Sequence, residues 1–382
     1  MRNPPASLRS TSDLVEAGLL AQTKSDAIER VAAAYAIGLT GTVAALIDPA
    51  DPHDPIARQF VPDVAELDTR PDEMADPTGD LPFSPVEGIV HRYPDRALLK
   101  LLHICPVYCR FCFRRTVVGP NSPAHLSPEA LTAAIGYIAK HSEIWEVILT
   151  GGDPLTLSAR RLAEIMARLK AIGHVKIIRL HTRVPIADPA KITAALAGVL
   201  LSSGKTIYVA LHANHPRELS EAARAACARF IDAGIPMLSQ SVLLAGVNDD
   251  INTLTTLMRA FVEARIKPYY LHQLDPAPGT GHFRVPVAKG RDLMRQLRGR
   301  VSGLCQPHFM LDIPGGHGKS PIGPNYLTER LSGESYWIAD YQGQPHVYPP
   351  ERNETGTRAT DQGLPLKHDK AKPVSPHEHP KS

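Results

Sequence analysis

Residues 97–115 read ALLKLLHICPVYCRFCFRR, an apolar run that ends in three cysteines spaced C-x3-C-x2-C: Cys105, Cys109 and Cys112. The run predicts a strand over 97–102, so the cysteines directly follow the strand's C-terminal end. Thiolates favour zinc or iron–sulfur centres. A structural zinc site or an ordinary [4Fe–4S] centre takes four protein ligands, and no fourth cysteine lies nearby. Cys227 is embedded in an Ala-rich helical pattern and Cys305 is distant in sequence. Three thiolates on a four-iron cube leave one iron open to another ligand, as a cluster needs if it is to react with a bound molecule. The bland alternative is three core cysteines placed by chance, and such tight spacing in a chain with only five cysteines speaks against it. The same small, odd count rules out a disulfide scaffold.

Downstream, short β-rich runs alternate with amphipathic helical patterns. Further strands are expected over 146–149, 176–180, 206–211, 237–243 and 269–273, with 308–313 as a seventh candidate. Helices open at Ser127-Pro128, Ser158, Asp188-Pro189 and His215-Pro216, and two more cover 249–262 and 287–298. Six β–α units predict an α/β fold with a parallel sheet and helices outside it. Six are too few for a closed eight-unit barrel, which leaves a partial, open barrel or a doubly wound sheet. In both, functional residues belong at the C-terminal ends of the strands.

Two glycine-rich stretches stand at such ends. Thr150-Gly151-Gly152-Asp153 follows the second strand, and its glycines let backbone approach a ligand closely; alone, a TGGD is more often an ordinary turn. The other runs Asp312-Ile-Pro-Gly-Gly-His-Gly-Lys319-Ser320. A phosphate-binding P-loop would need glycine where Ile313 stands, and Pro321 and Pro324 cannot open the helix such a loop requires. A lysine on a mobile glycine-rich loop suits Schiff-base formation with pyridoxal phosphate instead. Asp275 and Asp312 stand near Pro and Gly, where turn chemistry is the plain reading, and Arg114 beside Arg115 reads equally well as a surface pair.

Taken together, HRYPDR (91–96), CxxxCxxCFRR (105–115), TGGDPL (150–155), HANHPRE (212–218), YYLHQLD (269–275), GHFR (281–284) and DIPGGHGK (312–319) resemble the radical S-adenosylmethionine enzymes. Among these, the lysine 2,3-aminomutases are the family resembled, from about His91 to Tyr326. The resemblance implies a partial (β/α)6 TIM-type barrel with an N-terminal, mainly helical extension and an irregular C-terminal tail. It implies a [4Fe–4S] cluster on Cys105, Cys109 and Cys112 whose open iron binds the amino and carboxylate groups of S-adenosyl-L-methionine. Gly151, Gly152 and Asp153 would face the methionine end of that cofactor, and His212 and Gln240 its adenosyl end. Lys319 would be the catalytic lysine that binds pyridoxal 5'-phosphate, with Arg92 and Arg96 reaching the phosphate. Arg114 would grip the substrate carboxylate, while Asp275 and Asp312 hold the distal ammonium of L-lysine. The implied reaction moves the amino group from the α- to the β-carbon by a 5'-deoxyadenosyl radical mechanism that regenerates S-adenosyl-L-methionine.

Rival readings are a radical aminomutase for another amino acid, a relative that makes β-lysine for elongation factor P, and a non-catalytic iron–sulfur or zinc protein. The segment to Tyr348 and the GGHGK form favour the free-standing lysine enzyme, and two carboxylates at the distal end disfavour a glutamate mutase. The clostridial-type enzymes bind zinc through additional C-terminal cysteines; no cysteine follows Cys305, so that zinc site is absent.

Composition fits an enzyme of this kind. A net charge of +3 offers no global field for nucleic acid or an anionic membrane. A hydrophobic share of 43% with 21% charged residues belongs to a packed globule. The longest apolar runs, 31–39 and 194–201, fall short of the ~20 residues of a membrane span, and MRNPPASLRS has no apolar signal core. A cytoplasmic enzyme, a homo-oligomer supplied by a flavodoxin or ferredoxin, is expected. Of 35 prolines, ten fall in 1–90 and seven in 341–382, so both ends differ from the regular middle. The expected organisation is an extension over 1–90 with a helix at 25–37, a barrel over 91–315, a lysine loop and segment over 316–348, and a disordered tail over 349–382. His377-Glu378-His379 reads as part of that solvated tail.

Overall fold

Strand β2 (Arg96–Leu102) begins a run of parallel neighbours in strict chain order: β3 (Glu146–Gly151), β4 (Ile177–Thr182), β5 (Thr206–His212), β6 (Met237–Val242), β7 (Ile266–His272) and β8 (His308–Ile313). The computed structural model describes residues 7–119, 123–330 and 334–350. Hairpin strands flank the run, β1 (Ile89–Tyr93) against β2 and β9 (Gly318–Pro321) against β8. An unpermuted order with right-handed crossovers puts every helix on one face and curls the sheet, whereas a doubly wound sheet reverses its order part-way. The partial (β/α)6 barrel is therefore the form adopted.

Each crossover carries one main helix: Pro128–Lys140, Ala159–Lys170, Ala194–Leu201, Glu221–Asp232, Ile251–Glu263 and Val287–Arg300; the third also holds the single turn Val184–Ala187. Ser127, Ser158, Thr193, Ser220 and Asp250 cap the first five, their side-chain oxygens accepting backbone N–H bonds of the first turn. The inner faces, such as Leu162, Ile165, Met166 and Leu169, pack on Val147, Leu149, Ile178 and Leu180 of the sheet.

Several boundaries differ from the sequence reading. Asp188-Pro189 and His215-Pro216 open only single 3-10 turns, Pro189–Lys191 and Pro216–Glu218, and the helices restart at the later caps Thr193 and Ser220. Strand β7 begins at Ile266 and not 269, because Pro268 is accommodated where the register with β6 shifts between Ser239 and Gln240. Lys319 was expected on a mobile loop; it stands on β9, directly opposite Asp312. The glycines make the turn before it, Gly315 and Gly316 both at φ +84°.

The two edge strands nearly meet. Lys319 donates its backbone N–H to the Tyr93 hydroxyl at 2.7 Å. A Cβ on Gly318 would lie 2.8 Å from that same oxygen, so only glycine lets the seam approach this closely.

Met1–Pro324 forms one compact unit. Its N-terminal part has a helix over Ser25–Ala34 and a small core of Leu14, Leu39, Val43, Ile56 and Phe60 that also takes in Val107 and Ala187 of the barrel. Asn325–Ser382 forms a second unit, described as an antiparallel sheet of β10 (Leu327–Glu329), β11 (Tyr336–Ala339) and β12 (Pro345–Tyr348). From residue 351 on, the expected tail and its His377-Glu378-His379 lie outside the described residues. Among the described residues no helix is long and apolar enough to cross a membrane.

Candidate functional site

A cavity of about 520 Å³ runs inside the barrel, and all fourteen residues singled out in the sequence line it. That volume suits a small-molecule site, typically ~300–1,000 Å³. Cys105, Cys109, Cys112 and Arg114 line it from the segment after β2, Arg92 and Arg96 from β1 and β2, Asp312 and Lys319 from β8 and β9, and Asp275 from just past β7.

The cysteine loop is pinned by the N-terminal extension. Tyr108 donates its backbone N–H to Gly38 O at 2.9 Å, and a Cβ on Gly38 would clash with the Tyr108 ring. Arg110, between Cys109 and Cys112, is fully buried and forks onto Glu66 through Nε at 2.9 Å and Nη2 at 2.6 Å. Arg115 joins the same carboxylate and also donates to Gly279 O at 3.1 Å. One carboxylate thus pairs two buried guanidiniums without neutralising both, and Arg115 Nε has no partner among the described residues. From the other side, Gly152 meets the loop so closely that a Cβ would lie 2.1 Å from Ile104 O. Gly152 is thus required by packing against the cysteine loop, and Gly151, at φ +111°, by packing against β2, where a Cβ would lie 2.4 Å from Leu102 O. The Asp153 carboxylate is engaged by Thr182 Oγ1 at 2.8 Å and by the Arg183 backbone N–H at 2.7 Å, bracing the ends of β3 and β4.

The three cysteines are free and half-buried, their remaining surface turned to the cavity. Burial pushes the Cys105 thiol well above its ordinary range and that of Cys109 up to about 11; Cys112 is raised as well. Buried Arg183 opposes the rise at Cys109. Thiols kept protonated until a metal displaces the proton fit a cluster site. Among the described residues no three His, Cys, Asp or Glu side chains close on one point as ligands of a single metal ion do. Cys227 and Cys305 are buried elsewhere, in the helix Glu221–Asp232 and the turn Gly303–Cys305.

The wall made by β8, β9 and the end of β7 is acidic. Lys319 Nζ contacts both oxygens of Asp312 at 2.5 Å, and His272 Nδ1 lies 3.5 Å from Asp312 Oδ2. Burial alone would raise the Asp312 carboxyl; the hydrogen bond from His272 and the Lys319 charge outweigh it and hold it at about 2. Asp275 is pushed up to about 7, first by burial and then by the charge of Asp312. Its Oδ1 is sealed from solvent and has no partner. Two carboxylates in one wall, one with an unmatched oxygen, make a site for a cation.

Arg114 faces the same cavity and bonds Asp80 at 3.1 Å; Arg92 holds the other oxygen of Asp80 at 2.8 Å and also donates to Thr78 O. Arg96 pairs with Asp95 at 2.6 Å and lies 3.8 Å from the Tyr93 ring centroid. His212 Nε2 is 3.3 Å from His181 Nδ1; burial, then Arg183, lowers the His212 pKa to about 3. Gln240 lines the cavity nearby.

Asp80, His181, Arg183 and His272 were not singled out in the sequence. Alternation could have found two of them. Tyr270 and His272 face the cavity while Leu271 between them is fully buried, and Arg179 and His181 flank Leu180 in the same way. Arg183 follows the end of β4. Asp80 carries no local signal, because it reaches the site from the extension.

Residues 99–257 match the family model described as the Radical SAM superfamily, and residues 294–376 match Lysine-2,3-aminomutase. The chain is 37% identical to the L-lysine 2,3-aminomutase of Clostridium subterminale, over 88% of this chain and 80% of that one. Identity to the L-lysine 2,3-aminomutase of Acetoanaerobium sticklandii is 40%, covering 81% and 75%. Identity to the glutamate 2,3-aminomutase of Clostridioides difficile is 35%, covering 81% and 73%.

Proposed function

The chain belongs to the lysine 2,3-aminomutase family of the radical S-adenosylmethionine superfamily, and from that membership and the geometry of the cavity we propose that it interconverts L-lysine and L-β-lysine. The observation that carries the choice of substrate is the unpartnered, buried Oδ1 of Asp275 beside the ionised Asp312. A distal ammonium placed there removes the repulsion and completes the hydrogen bonding. The distal carboxylate of glutamate would add a third negative charge.

When bound, the [4Fe–4S] cluster, S-adenosyl-L-methionine and pyridoxal 5'-phosphate supply a 5'-deoxyadenosyl radical and a ring that delocalises the unpaired electron. The residues of this chain hold and shelter that chemistry. Cys105, Cys109 and Cys112 would hold the cluster. Gly151, Gly152 and Asp153 shape the methionine end of the cofactor site, and His212 and Gln240 the adenosyl end. Lys319 binds the pyridoxal cofactor through Nζ, with Arg92 and Arg96 toward its phosphate. Arg114 grips the substrate carboxylate, oriented by Asp80. The enclosed barrel keeps water and stray hydrogen donors from the reacting carbon. A flavodoxin or ferredoxin donates the electron, and the enzyme works as a homo-oligomer in the cytoplasm.

The test is an anaerobic assay of the reconstituted enzyme with all three cofactors and dithionite, offering L-lysine and L-glutamate in parallel. β-Lysine should form from lysine, with little or no product from glutamate. Preference for glutamate would overturn the substrate and leave the radical chemistry standing.

A further inference from the structure

The stretch HANHPRE ends in a carboxylate that the reading above leaves without a task. Glu218 is fully buried, and its Oε1 accepts the backbone N–H groups of Asn214 at 2.7 Å and His215 at 2.9 Å, with Gln59 Nε2 at 3.3 Å. Its Oε2 pairs with Nη1 of Arg183, a buried side chain just past the end of β4. The Arg183 guanidinium lies 5.3 Å from the ring centroid of Phe60 and 5.7 Å from that of Phe111, the residue before Cys112. The pair is oriented. Arg183 lines the cavity together with Cys105, Cys109 and Cys112, whereas Glu218 stands off the cavity wall behind it. A guanidinium keeps its charge at every working pH, and inside the barrel that charge acts over several ångströms with little screening by salt. A buried ion pair adds little net stability over an apolar pair, so its place beside the cysteines calls for another account. Nearby charge and burial set the potential of an iron–sulfur centre. A fixed positive end favours the form that carries one more electron.

We propose that the buried Arg183–Glu218 pair tunes the reduction potential of the cluster on Cys105, Cys109 and Cys112, the guanidinium favouring the reduced form and Glu218 limiting that effect while holding Arg183 in place. The proposal rests on the cluster in the reading above. The step concerned is the passage of one electron from the reduced flavodoxin or ferredoxin: the donor is oxidised by one electron, the cluster is reduced by one, and no bond of the chain forms or breaks. Neither side chain is a ligand; both act through the field they place on the thiolates.

The test uses the full-length protein carrying its cluster, titrated potentiometrically with dithionite. The electron paramagnetic resonance signal of the reduced cluster gives the midpoint, and iron and sulfide analysis gives the cluster content. Arg183→Gln should lower the ratio of reduced to oxidised cluster at a fixed potential by about tenfold, a fall of about 59 mV for one electron. Glu218→Gln takes the counter-charge from the guanidinium and should raise that ratio by about threefold or more. Arg183→Lys keeps the charge and should stay within about threefold of the parent. Loosened packing would move both glutamine variants the same way, so the opposite signs separate a field from a structural role. An unchanged midpoint in Arg183→Gln, or the same sign in both glutamine variants, overturns the proposal. If Arg183→Gln does not hold its cluster, Glu218→Gln decides alone, and a midpoint at or below the parent's overturns it. If neither holds its cluster, the pair is structural and the proposal falls. A parent that takes up no cluster overturns the underlying reading, whereas a loaded parent whose midpoint ignores both substitutions removes only the role of the pair.

Discussion

Asp312→Asn is the sharpest perturbation of the cavity, because it removes a charge and almost no volume. Asp312 is 4% exposed and is touched by Lys319 and His272, with the partly protonated Asp275 in the same wall. Amide for carboxylate leaves a bound ammonium facing the Asp275 carboxylate alone. Breaking one side of a desolvated ion pair costs about 3–5 kcal/mol. In kcat/KM for L-lysine that is a loss of roughly two to three and a half orders of magnitude. Steady-state β-lysine formation reads the loss, and iron, sulfide and pyridoxal analysis of the same preparation checks that the cofactors are still bound. A variant within about fivefold of the parent, with cofactors intact, would refute the claim that Asp312 pairs with the substrate.

Three further outcomes follow from the same geometry. Cys109→Ala should lose most of its iron and sulfide, whereas Cys227→Ala and Cys305→Ala keep theirs; full cluster content in the first, or loss in the last, would remove the ligand assignment. Borohydride reduction of the holoenzyme followed by peptide mapping should place the pyridoxyl label on Lys319; a label on Lys205, Lys267 or Lys289 would reopen it. The Asp275 carboxyl is raised to about 7 by burial and Asp312, so the folded chain keeps a proton that the unfolded chain releases near pH 4. Its contribution to stability is complete below about pH 4 and is lost as pH rises through 7. In substrate-free protein the Tm of Asp275→Asn relative to the parent should therefore grow between pH 5 and pH 8. A constant difference would contradict the raised pKa.

Much of this was legible in the sequence, and the exceptions share a cause. Ser127 and Ser158 announced their helices because a cap and an apolar period are local signals. The parallel strands carried enough apolar residues to be seen. The hairpin strands β1 and β9 were not, since β1 has only two fully buried residues and β9 is four residues long. Lys319 was recognised as chemistry but placed on a loop, because the turn at Gly315 and Gly316 hides the register that sets it against Asp312. The extension read as a separate segment, yet Glu66 and Asp80 supply charges to the cysteine loop and to Arg114. Such long-range pairings leave no trace in spacing.

The pairing of Asp312 with Lys319 also bears on how the enzyme is assembled. Opposite residues on adjacent antiparallel strands project to the same side, so the lysine's own ammonium occupies the place that the substrate reading gives to an incoming one. While that internal amine is charged, it is a poor nucleophile and the carboxylate beside it is already neutralised. A cofactor bonded to Lys319 Nζ would withdraw that charge from Asp312 for as long as the bond lasts. One rung of a β-ladder thus ties the charge on Asp312 to the state of the lysine opposite it, so the pull of this wall on an outside cation would be weakest while Lys319 is a free ammonium.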